Sequence, residues 1–89
     1  MLAYIAPYVV ECRLRSIYLN MLRKDMDKAI RIVKQTIEDL NKLPKVDMDP
    51  MMTKSMENKL YYILINMKTK RYNDAHDGVR NLNYLLADI

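Results

Sequence analysis

The chain has 89 residues, 51% hydrophobic and 29% charged, which suits one globular domain (residues 1–89) and not two. One Cys excludes a disulfide framework, one Cys with one His excludes a self-contained zinc finger, and one Gly with three Pro leaves little turn chemistry for an all-β fold. Fifteen basic against eleven acidic residues give a net +4, a small excess held within residues 1–46 that favours a solvated basic face over a nucleic-acid binder.

Residues 1–10, MLAYIAPYVV, are uncharged. They are too few to span a bilayer, which takes about 20 apolar residues. No basic residue precedes them, so they do not resemble a secretory signal. A short helix over Leu2–Val10, limited by Pro7, would be a fifth helix. The expected setting is the cytoplasm or nucleus, with Cys12 as a buried, inert thiol.

Four apolar stripes follow at helical spacing. Leu14, Ile17, Tyr18 and Met21 form the first. Ala29, Val33, Ile37 and Leu40 form the second, after a break at Lys24–Asp27 where either Asp can cap the next helix. Leu43-Pro44 ends that helix, and Asp49-Pro50 starts the next as N-cap and first helical residue. Leu60, Ile63, Leu64 and Met67 are the third stripe. Met52 and Met56, from a Met-rich run, are expected in the core beside it. Asn73 is the expected cap of the last helix, whose stripe is Ala75, Val79, Leu82 and Leu86. Gly78 inside this helix costs about 1 kcal/mol relative to Ala, which a close helix crossing would explain.

A shift of 46 positions aligns Glu11–Leu40 with Glu57–Leu86 and makes nine of the 30 pairs identical, among them Leu14/Leu60, Ile17/Ile63, Asn20/Asn66, Met21/Met67 and Lys24/Lys70. The expected fold is therefore all-α: a four- to five-helix bundle built from two related helical hairpins.

Catalytic chemistry is poorly supplied. Cys12 and His76 are the only thiol–imidazole pair, Asp47 and Asp49 lack the other ligands of a calcium loop, and one Gly cannot build a phosphate loop. The expectation is a non-enzymatic chain without cofactor or metal. The leading functional reading is a protein-interaction or assembly module, whose partner is another protein or a second copy forming a homodimer. Its candidate partner-binding residues are Leu2, Tyr4, Ile5, Tyr8 and Val9; Leu19, Leu22 and Tyr61 also fall outside the stripes. The alternative is a small basic nucleic-acid-binding regulator using Arg13, Arg15, Lys24, Lys28, Arg31 and Lys34. A third reading is a viral or phage protein that binds and inhibits a host protein.

The stretch Ile37-Glu38-Asp39-Leu40, the linker through Pro50, the helix Met56–Met67 and the step Lys70-Arg71-Tyr72-Asn73-Asp74-Ala75 together cover about half of the chain. They resemble the small C-terminal helical domain shared by the steroid receptor RNA activator protein and the outer-coat subunit of the coat protein complex II cage. That resemblance implies a helical bundle that docks proteins in vesicle-coat or transcriptional coregulator settings, without catalysis.

Overall fold

A computed structural model describes residues 3–87 as four helices: α1 (Pro7–Leu22), α2 (Met26–Lys42), α3 (Pro50–Lys68) and α4 (Tyr72–Ala87). Local chemistry explains the boundaries. Asp25 caps α2, its side chain accepting from the Lys28 backbone N–H at 3.2 Å. Asp49 caps α3 in the same way, accepting from Met52 at 2.7 Å, with Pro50 preset for the first turn. Lys42 is the last residue of α2, because Leu43 precedes Pro44 and turns extended. Asn73 is not the cap of α4: that helix starts one residue earlier, and Asn73 lies in its first turn.

The turns after α1 and α3 are built alike. In each, a Lys adopts the left-handed region, Lys24 at φ 61° and Lys70 at φ 63°. Two backbone bonds close each turn: Lys24 N–H to Met21 O and Asp25 N–H to Asn20 O, then Lys70 N–H to Met67 O and Arg71 N–H to Asn66 O. This satisfies the carbonyls that a helix end leaves free. The buried Asn20 and Asn66 amides complete the likeness, donating to Ser16 O and Tyr62 O, each at 2.8 Å.

Helix α1 packs on α2 and α4, and α3 packs on the same two, while the backbones of the diagonal pairs α1/α3 and α2/α4 stay apart. The radius of gyration, 12.1 Å, equals the ~12 Å expected of a single folded unit this long. Leu14, Ile17, Val33, Leu40, Leu60, Ile63, Val79 and Leu82 meet along the shared axis and are almost fully buried. Met56 joins them, and Met52 packs half-buried against their edge. Tyr18 does not: it sits on the flank of α1 that faces α4, with its ring edge-on to His76 at 5.6 Å between centroids. An aromatic ring with a polar tip suits such a boundary.

The N-terminal segment departs from the expected fifth helix. Pro7–Val10 is the first turn of α1, and Ile5 and Ala6 just before it run extended along the α2–α3 connection. Ile5 donates to Pro44 O and accepts from the Val46 N–H, both at 2.9 Å, in an isolated parallel bridge. Pro7, which has no N–H to donate, sets the point where the helix begins. The segment straps the bundle, with Ile5 completely buried.

A second device ties α1 to α2. The Arg13 guanidinium donates to Asp39 Oδ2 at 2.8 Å and to the Thr36 hydroxyl at 3.2 Å, and Gln35 donates to Asp39 Oδ1 at 3.0 Å. Among the described residues no buried side-chain polar atom lacks a partner.

Candidate functional site

The candidate partner-binding residues of the N-terminus separate into two groups. Ile5 and Val9 are core residues, which corrects their assignment to a surface. The strap turns Ile5 inward, and Val9 lies one position from Val10 on the buried side of α1. Tyr4 and Tyr8 stay outside, hydrogen-bonded to each other through their hydroxyls, with rings edge-to-face at 6.3 Å. That bond pushes the Tyr8 phenol above its usual 10.0, and the neighbouring Tyr4 and Cys12 add to the effect. Leu2 lies outside the described residues.

Tyr8 continues into an exposed line along α1: Tyr8, Cys12, Arg15, Leu19 and Leu22. Its steps of four, three, four and three residues keep one side of a helix facing outward. Tyr8 is 54% exposed, Leu19 43% and Leu22 56%. Cys12 is exposed, not buried as expected, because two residues from Leu14 is about half a turn away from the core. Helix α3 carries a comparable outer face with Met51, Tyr61, Tyr62 and Ile65, the last 59% exposed. Tyr62 and Ile65 were not singled out by sequence reasoning. The signal was present: Ile65 matches Leu19 under the 46-residue shift, and neither falls in a core stripe.

The outer face of α2 differs in kind. None of the large exposed hydrophobic side chains lies on it. Lys28 and Arg31 line a shallow groove with Ile32 and Gln35, Glu38 pairs with Lys42 at 2.8 Å, and Lys34 is exposed. Of the other proposed basic residues, Arg15 is exposed and Lys24 occupies the α1–α2 turn. Arg13 leaves that set, because Asp39 neutralises it between helices.

A groove of about 480 Å³ lies where α2 and the α2–α3 connection meet α3, beside Asn41, Met48 and Thr53, and two more run along interhelical seams. One, about 410 Å³, runs between α3 and α4 over Gly78, with Ser55, Asn58, Lys59, Tyr62 and Asn81 around it. The other, about 280 Å³, lies between α1 and α4 and is lined by Tyr18, His76, Val79, Arg80 and Asn83. Among the described residues no three His, Cys, Asp or Glu side chains converge to hold a metal, and no helix is long and apolar enough to cross a membrane.

Compared with protein-family models, curated proteins and solved structures, the chain matches none.

Proposed function

We propose that the chain is a non-catalytic protein-interaction module that engages partners through two opposite faces, the outer sides of α1 and α3. One observation carries this reading. Of the large exposed apolar side chains among the described residues, α1 and α3 carry four each, whereas of the two helices between them α4 has only Tyr84 and α2 has none. Each half-exposed Leu or Tyr forgoes about 1 kcal/mol of burial, which a partner would recover. Duplication of one helical hairpin would account for two such faces, since Leu19 and Ile65 correspond. The resemblance of residues 37–75 to the coat and coregulator domain supports the same kind of role and suggests those assemblies as its setting.

The test is affinity capture with the wild type, with Leu19→Glu/Leu22→Glu and with Ile65→Glu, each verified as helical by circular dichroism. A partner lost from one variant and kept by the wild type supports the proposal. Capture indifferent to both faces rejects it.

A second reading has its own observation: Lys28, Arg31 and Lys34 are exposed on α2 without ion-pair partners among the described residues. They could follow a phosphate backbone, although Asp27 and Glu38 interrupt the same face. Retention on a phosphate-rich column that falls steeply with salt would favour this reading, and release at low salt would dismiss it.

A further inference from the structure

We propose that the outer face of α1 pairs with the same face of a second copy, antiparallel about a two-fold axis level with Arg13. The inference rests on the interaction reading above and names the occupant of one of its two faces. Glu11 and Arg15 are both exposed and one turn apart, Arg15 within the line and Glu11 at its edge, and neither has an ion-pair partner among the described residues. A parallel pairing sets Arg15 against its own copy, and so does an antiparallel pairing centred on Arg15. Centring on Arg13 removes that conflict. Glu11 and Arg15 each lie two residues from the centre, so Glu11 of one copy is level with Arg15 of the other, and symmetry forms the pair twice. A two-fold axis perpendicular to the helices also keeps both groups on the same flank.

The apolar groups fit this register. Tyr8 lies five residues before the centre and Leu19 six after it, so each Tyr8 covers Leu19 of the second copy. The Tyr4–Tyr8 pair extends the cover toward Leu22. The exposed parts of Tyr4, Tyr8, Leu19 and Leu22, with the flanking Glu11, Cys12 and Arg15, amount to on the order of 1,000 Å² over two copies. That is the lower limit for a specific pair, so the dimer is expected to be concentration-dependent. The strap and the Arg13–Asp39 bridge hold α1 on the bundle, so pairing needs no rearrangement. Cys12, one residue from the centre, places the two thiols on either side of the axis.

Sedimentation equilibrium of the full chain across the micromolar range tests this. The expected result is a monomer–dimer equilibrium that Leu19→Glu/Leu22→Glu weakens at least tenfold. Arg15→Glu and Glu11→Arg each weaken it severalfold, and the two combined restore it. A short thiol–thiol crosslinker should trap the dimer through Cys12. A monomer throughout the range, a dimer unaffected by the α1 variants, or a dimer dissociated by Ile65→Glu overturns the proposal. Partner capture separates the two readings. If the chain is monomeric but capture still needs Leu19 and Leu22, only the self-pairing falls. If the chain dimerises as described and capture ignores both faces, only the heterologous role falls.

Discussion

Replacing Gly78 with Ala sets two effects of opposite sign against each other. Gly78 is buried in the middle of α4 and its φ is negative, so no special backbone conformation requires glycine. Helix propensity alone predicts a gain of about 1 kcal/mol. Packing predicts a loss. A Cβ at this position would lie 2.8 Å from Ile63 Cγ1 and 3.1 Å from Tyr62 Cδ2. Ile63 is fully buried, and a β-branched side chain in a helix has one strongly preferred rotamer, so its Cγ1 cannot turn aside. Helices α3 and α4 must move apart, and overpacking of this kind costs about 1–3 kcal/mol. The net expectation is a loss of about 1 kcal/mol, or roughly 4–8 °C in Tm for a domain of this size. Urea denaturation followed by circular dichroism measures it, and a Gly78→Ala, Gly78→Ser and Gly78→Val series sharpens it. Close packing orders stability as Gly above Ala, Ser and Val, whereas propensity puts Ala first and Gly last. An Ala variant more stable than wild type would refute the packing argument.

Other substitutions probe the remaining devices. Lys24→Gly and Lys70→Gly should each stabilise by about 0.5 kcal/mol, since relief of a left-handed conformation exceeds the extra freedom given to the unfolded chain; a lower urea midpoint for both would contradict this. Ile5→Ala should cost about 2–4 kcal/mol, because the strap residue fills the core; a loss below half a kilocalorie would make the strap ornamental. Arg13→Lys should cost about 1–2 kcal/mol, as an ammonium cannot serve Asp39 and Thr36 with the planar fork of a guanidinium; unchanged stability would remove the bridge from the account. Tyr8 should ionise above pH 10, later than an ordinary phenol. Its neutral form is favoured by folding, so that small contribution is present below pH 10 and vanishes as pH rises through the shifted value. Tyr4→Phe should shift the Tyr8 ionisation down toward the ordinary range in an NMR titration of its ring.

The sequence by itself determined the helices and most of their burial. The three-and-four spacing of Val33 or Leu60 has one physical outcome, a stripe that must face other stripes, and capping by Asp49 and Pro50 depends on groups a few residues apart. Only the tertiary structure decided which apolar residues outside the stripes meet water. Ile5 and Tyr4 are neighbours in an uncharged segment without helical patterning, and a hydrogen-bonded strap against Pro44 and Val46 buries one and leaves the other outside. Arg13 and Arg15 likewise read as equal members of a basic face until the approach of α2 paired one with Asp39. Periodicity reports which side of a helix is apolar, but contacts between residues distant in the chain select which of those groups remain available to a partner.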